Sequence, residues 1–211
     1  RRPRFRCRTG RAGRFLAKNY GCSVSCLNLS ERQNERARQA NREENLEMLI
    51  SVTDGSFESI PAPTESYDVV WSQDAILHSG HRVAVFEEVN RVLKPGGYFI
   101  LTDPMAAGES RQQDLQPILD RIQLSSLGSL ASYRKYADAL GLEEVQWTDL
   151  TDQLTNHYGR IHQEIDKNYD FLIRHCTEEY LQNMKKGLNH WVEGGKSGKL
   201  QWGILIFKKK Q

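Results

Sequence analysis

Between Ser23 and Thr102 short apolar runs alternate with helical stretches, and this alternation restricts the chain to a sheet assembled with crossover helices. Ser23-Val-Ser-Cys-Leu-Asn-Leu29 reads as a strand. Ser30 then caps a helix, because Ser30-Glu-Arg-Gln33 matches the S-x-x-Q capping box and an Arg/Glu/Gln/Ala-rich run follows to about Glu44. Ile50-Ser-Val-Thr53 is a second short strand. Pro61 and Pro63 mark a turn before Tyr67-Asp-Val-Val-Trp-Ser72, whose near-continuous apolar character suits a buried central strand. Val85, Phe86, Val89, Val92 and Leu93 recur at helical spacing and stop at Lys94-Pro95-Gly96-Gly97. Proline cannot continue a helix, and glycine tolerates the left-handed exit. Tyr98-Phe-Ile-Leu-Thr102 is the next strand.

Beyond Thr102 the rhythm changes. Residues 115–124 and 132–140 read as helices, Glu144-Val-Gln-Trp-Thr148 as a strand, and about 152–191 as mostly helical. Gly194, Gly195 and Gly198 turn into a last strand, Leu200-Gln-Trp-Gly-Ile-Leu-Ile-Phe207. At 211 residues the chain is expected to be one domain. The expected fold class is α/β, a doubly wound, seven-stranded, mainly parallel sheet with the final strand antiparallel near one edge. Helical insertions at 106–140 and 152–191 are expected to roof an active site.

Composition removes several function classes. A net charge of +2 is too close to zero to point to nucleic acid or an anionic membrane. No apolar run approaches the roughly 20 residues of a membrane span. Four cysteines (Cys7, Cys22, Cys26, Cys176) are too few and too scattered for a disulfide scaffold, and Cys22 and Cys26 lack the His/Cys company of a zinc site. No metal site is expected, and the thiols suit a reducing cytoplasm. With no initiator Met and no signal-peptide layout, the chain reads as beginning within a longer protein.

Glu87-Glu-Val-Asn-Arg-Val-Leu-Lys-Pro-Gly-Gly97 and Tyr67-Asp-Val-Val-Trp-Ser-Gln-Asp-Ala-Ile-Leu-His78 resemble two hallmark segments of class I S-adenosylmethionine methyltransferases. These are the helix and turn before the fifth strand, and the fourth strand with its substrate-facing loop. Cys26-Leu-Asn-Leu-Ser-Glu-Arg-Gln-Asn34, Gly55-Ser-Phe57, Trp71-Ser-Gln-Asp74 and Thr102-Asp-Pro-Met105 are similar to the sarcosine/dimethylglycine N-methyltransferases, which make glycine betaine. The resemblance runs from about Ala12 to Lys208. It implies a Rossmann-like methyltransferase fold, S-adenosylmethionine as cofactor, and a small-molecule amine as substrate. A phosphoethanolamine-type enzyme, or a non-catalytic member that binds a partner, is the alternative. A nicotinamide oxidoreductase on a similar sheet is a weaker one.

In such a fold the donor lies across the carboxyl ends of the strands at the switch point of the sheet. The resemblance then assigns cofactor-binding positions. Asn28 ends the second strand, where an amide oxygen can accept from ribose hydroxyls, with Leu29 beside it and Gln33 one helical turn on. Ser56 and the Phe57 backbone fall near the adenine, and Ser72 and Gln73 at the end of the fourth strand. In the family's Gly-x-Gly-x-Gly loop only Gly10 survives; Arg4 stands at the acidic position, and Arg6 and Arg8 at the first two glycines. Guanidinium groups there oppose a sulfonium ligand by volume and by charge. Two readings of residues 1–9 stand: a disordered basic arm, or an aberrant stretch from a misread frame. Codons for Arg2 to Arg8, read one base later, can encode Val-Leu-Asp-Phe-Gly-Ala-Gly, the missing loop. The frame reading is preferred, because charge runs alone are weak evidence.

Asp74 and His78 are the catalytic candidates. Four residues apart, they share a face if the segment forms one helical turn. Methyl transfer to nitrogen needs a neutral lone pair aimed at the methyl carbon, so orientation is the main task. Asp74 can hold the amine by a charge-assisted hydrogen bond, and His78 can carry the proton away. A substrate carboxylate calls for a cation, for which Arg134 and Lys135 lie in the right region. Trp191 and Trp202 are read as core rather than as a cage for a methylated ammonium.

Overall fold

The computed structural model describes residues 4–7, 10–108, 110 and 112–211, and for 4–7 and 112 the backbone alone. The strands are β1 (Arg4–Cys7), β2 (Ser23–Asn28), β3 (Ile50–Asp54), β4 (Tyr67–Gln73), β5 (Leu93–Thr102), β6 (Met105–Ala106), β7 (Leu142–Asp149), β8 (Leu200–Gln201) and β9 (Gly203–Lys209). The helices are α1 (Gly10–Tyr20), α2 (Glu31–Glu43), α3 (Arg82–Val92), α4 (Gln112–Ile122), α5 (Leu130–Ala139), α6 (Thr151–Lys167), α7 (Tyr169–Leu172) and α8 (Glu178–Lys196). Seven strands form one sheet in the order β3-β2-β1-β4-β5-β9-β7. β3, β2, β1, β4 and β5 are parallel and β9 is antiparallel to β5. The strand order reverses between β1 and β4, the switch point of a doubly wound sheet.

Four sequence expectations change. The disordered arm, one of the two readings of the start, gives way to a strand: Arg4–Cys7 form β1, paired with β2 on one side and β4 on the other. Arg8 lies outside the described residues. The turn Lys94–Gly97 is drawn into β5, with a register shift against β4 between Tyr67 and Val69. Gly96 takes φ +76°, and a Cβ on Gly97 would stand 3.0 Å from Asp68 O and 2.9 Å from Lys94 O, so the bulge needs both glycines. The last strand breaks at Trp202: β8 pairs with β6 in a separate ribbon, and β9 sits between β5 and β7, one place in from the edge.

The fourth change concerns the insertions. The chain divides into two compact units, the second made of Pro104–Ala131 and Thr148–Gly203. The first insertion therefore ends before the body of α5, because Ser132–Trp147 belongs with the sheet. In the sheet unit Leu16 and Ala17 of α1 pack on Cys22, Val24 and Cys26 around β2, with Leu46 and Ile50. Around α3 an aromatic cluster forms: Phe86 lies 5.4 Å from Phe99, 5.5 Å from Tyr133 and 6.2 Å from Phe207, ring centre to ring centre. Each of the four rings is buried. In the second unit Leu115, Ile118 and Leu119 of α4 meet Leu154, Trp191 and Leu200, and Ile165, Leu181 and Leu188 form a further cluster. Trp191 is buried and stacks on Tyr158 at 5.0 Å, while Trp202 packs against the first of these clusters, consistent with core roles.

Candidate active site

The carboxyl ends of β2, β3 and β4 bring most of the sequence candidates into one region. Ser30 caps α2 as expected, its hydroxyl accepting from Gln33 N at 3.3 Å. That turn places Gln33 beside Asn28, whose amide donates to Gln33 Oε1 at 2.7 Å. The next residue, Asn34, is buried at 3% exposure, and its amide donates to Asn28 O at 2.8 Å and Asp54 Oδ1 at 2.6 Å. Asn34 thus ties the end of β2 to the end of β3. The Asn34 amide, then the Arg38 guanidinium at 2.6 Å, hold the Asp54 carboxyl below its ordinary range. Leu29 beside this group is exposed.

Phe57 and Ser72 line a small cavity of about 40 Å³ together with Leu27, Trp71 and Ala75. Ser56 caps its own turn, its hydroxyl accepting from Glu58 N at 3.0 Å. Glu58 then reaches the loop after β4, accepting from the buried Ser79 hydroxyl at 2.5 Å. Gln73 is the exposed last residue of β4. Gly10 opens α1, and a Cβ there would stand 2.9 Å from Ala37 Cβ, so its missing side chain lets α1 pack on α2. The apolar cavity edge at Leu27 and Phe57 and the paired amides of Asn28 and Gln33 are of the kind that suits an adenosyl group. The residues present fit the donor from Asn28 onward.

The catalytic candidates are placed differently from expectation. Asp74 to His78 is not one helical turn. Asp74 adopts φ +46°, and a short 3₁₀ turn follows at Ile76–His78. The shared helical face is therefore lost. Left-handed backbone is uncommon outside glycine and is tolerated by Asp. Here it is held on both sides: Asp74 N donates to Thr102 O at 2.8 Å, and Thr102 Oγ1 donates to Asp74 Oδ1 at 2.9 Å. His78 is exposed, while Ala75, Ile76 and Leu77 anchor the loop in the core. Arg134 is engaged elsewhere, in a two-pronged pair with Glu144 at 2.6 and 2.7 Å, which argues against a role on a substrate carboxylate.

Sequence reasoning missed the group behind Asp74. Asp103 follows Thr102, is fully buried, and accepts from Tyr133 Oη at 2.5 Å. Burial pushes its pKa up to about 7; the charge on Asp74 adds to the rise, while the Tyr133 hydrogen bond, the Leu77 backbone amide and Arg82 oppose it. No group of three or more His, Cys, Asp or Glu suited to a metal occurs among the described residues. No helix among them is long and apolar enough to cross a membrane.

Residues 5–101 match a family model described as a methyltransferase domain. Over 95% of its length the chain is 52% identical to the sarcosine/dimethylglycine N-methyltransferase of Aphanothece halophytica, covering 72% of that protein. It is 48% identical, at the same coverage of both chains, to the enzyme of that name from Halorhodospira halochloris. A crystal structure from Galdieria sulphuraria, assigned as a sarcosine dimethylglycine methyltransferase, superposes with a TM-score of 0.95 at 41% identity, covering 100% of this chain and 79% of that one. The strand order and these likenesses agree, and the chain belongs to the class I S-adenosylmethionine-dependent methyltransferases, in the family of the sarcosine/dimethylglycine N-methyltransferases.

Proposed function

We propose that this enzyme methylates the nitrogen of sarcosine and dimethylglycine, toward glycine betaine. Identity of 52% across 95% of the chain to a relative named for that reaction is the observation that carries the reading. S-adenosylmethionine supplies an electrophilic methyl group on a sulfonium centre, and the protein's own task is to aim a neutral amine at it. In this reading Asn28, Leu29 and Gln33 receive the ribose, and Ser56 and Phe57 the adenine. Gly10, Ser72 and Gln73 line the remaining approach. Asp74 holds the amine by a charge-assisted hydrogen bond, with its carboxylate fixed by Thr102 before substrate arrives. His78, exposed at the end of the 3₁₀ turn, takes the released proton toward solvent. Small-molecule chemistry without a nucleic-acid or membrane partner, in a reducing cytoplasm, fits the charge of +2 and the thiols of Cys22, Cys26 and Cys176, none of them in a disulfide.

The Arg-rich start is the weak point of donor binding, and calorimetry with S-adenosylhomocysteine tests it. The expected result is no heat, or only weak binding, for the chain as written, and micromolar binding once Arg4, Arg6 and Arg8 become Asp, Gly and Gly. Equal binding by both forms removes the Arg residues as a lesion. No binding by either form favours the non-catalytic reading. Methyl transfer by the repaired chain to sarcosine, dimethylglycine and phosphoethanolamine then sorts the substrates. A preference for phosphoethanolamine sinks the betaine assignment.

A further inference from the structure

Burying a carboxylate is costly unless a structure has use for it, since an apolar side chain of similar size would fill the same space more cheaply. Asp103 is buried completely, at the junction where β5 leaves the sheet. Its neighbours are ordered about the loop that carries Asp74 and His78. Tyr133 Oη donates to Asp103 Oδ2 at 2.5 Å. Tyr133 is itself fully buried, wedged beside Phe86 and Tyr136 by the packing of α5. The Leu77 backbone N–H acts on the Asp103 carboxylate, and Leu77 O accepts from Arg82 Nη2 at 3.0 Å. The peptide groups of Leu77, midway between Asp74 and His78, are thus addressed from both ends by charged side chains. The adjoining Thr102 holds Asp74 itself, by backbone and hydroxyl.

We propose that Asp103 and Tyr133 are a positioning pair for the acceptor amine. They fix the loop between Asp74 and His78 and place a second carboxylate behind Asp74, where it favours the positive charge that grows on the nitrogen as the methyl group arrives. The inference rests on the reading that Asp74 receives the amine. The hydroxyl of Tyr133 is the element that no packing argument requires, because its ring is already held by Phe86 and Tyr136. The groups facing the Asp103 carboxyl are Asp74 from the end of β4, Arg82 from α3, and Tyr133 from α5 with Tyr136 beside it. Of these the Tyr133 hydrogen bond and Arg82 favour its ionised form and Asp74 opposes it.

The test uses the full chain with S-adenosylhomocysteine bound, carrying the Arg4→Asp, Arg6→Gly and Arg8→Gly changes if donor binding requires them. Dimethylglycine is titrated in by calorimetry from pH 6 to 9, and kcat/KM is followed over the same range. Tyr133→Phe and Asp103→Asn are both expected to leave S-adenosylhomocysteine affinity within about twofold and to weaken dimethylglycine about tenfold, the size of one lost charge-assisted hydrogen bond. Tyr133→Phe should also move the acidic limb of the profile to higher pH, because the hydrogen bond that favours the Asp103 carboxylate is gone. Asp103→Asn should remove that limb. Equal loss of donor and amine binding, with an unshifted profile, would mean plain packing and overturn the proposal. So would wild-type behaviour in both variants. Asp74→Asn separates the two levels of argument: if it leaves the amine unaffected, the reading of Asp74 falls; if it abolishes amine binding while the Asp103 and Tyr133 variants behave as wild type, only the positioning pair falls.

Discussion

At the scale of single residues, the polar groups that matter are those whose partners come from far along the chain. Asn28 and Gln33 meet because a capping turn fixes their separation, and that much can be read from Ser30-Glu-Arg-Gln33. Asp103 and Tyr133 stand thirty positions apart, and their meeting depends on α5 folding back beside β5, which no local pattern announces. Thr102-Asp-Pro-Met105 marks the family in the sequence, yet gives no hint that its aspartate is fully buried. That burial has a consequence for stability. A carboxyl raised to about 7 keeps its proton in the folded state while the unfolded chain has already lost it above about 4. The native state therefore binds more protons in this window, and Asp103 makes stability fall as pH rises from about 4 to about 7. Replacing Asp103 by Asn should remove this slope, so the variant's gain over wild type grows across that window to the order of a few kcal/mol. Thermal unfolding followed at pH 5 and pH 8 checks it. Equal differences at the two pH values would contradict the assignment.

Elements were legible where periodicity and punctuation agreed. α2 begins at its capping box, and α3 buries Val85, Phe86, Val89 and Val92, the residues its spacing marks. Boundaries failed where the sheet overruled local signals: Pro95-Gly96-Gly97 looks like a turn, and pairing with β4 makes it a bulged strand. The Asp74 segment failed for the opposite reason. Its helical spacing was real, but Thr102 captures Asp74 in a left-handed conformation and the helix never starts there. The energetics of α3 follow from its buried face. Phe86 touches rings on β5, α5 and β9, so Phe86→Ala should cost about 3–5 kcal/mol, whereas Ser30→Ala at the mouth of α2 should cost about 1 kcal/mol. Urea melts of the two variants compare these directly. Similar midpoints would mean that the aromatic cluster is less decisive for the sheet unit than its packing indicates.

At the scale of the whole molecule, fold class and family were within reach of the sequence, because alternating elements and a few motif words specify a doubly wound sheet; the order of its strands came only with the structure. The division into units was only partly so, since the chain leaves the sheet unit at Pro104, rejoins it at Ser132, leaves again at Thr148 and comes back at Ile204. The last return is secured at the far end of β9. Lys209 Nζ donates to Asn90 O at 2.8 Å and Leu93 O at 2.9 Å, closing the carbonyl end of α3. Lys209→Met should lower stability by about 1–2 kcal/mol while sparing affinity for S-adenosylhomocysteine; an unchanged melting temperature would show these bonds exchange freely with water. The position of β9 also sets a timetable for synthesis. Thr102 of β5 pairs with Ile204, which a ribosome adds about a hundred residues later. At roughly 5–20 residues per second, the open flank of β5 waits on the order of 5–20 seconds for its neighbour. During that interval the nascent sheet carries an unpaired edge, the state in which chains find one another, so the yield of folded protein in a cell depends on what shields β5 while the rest is being made.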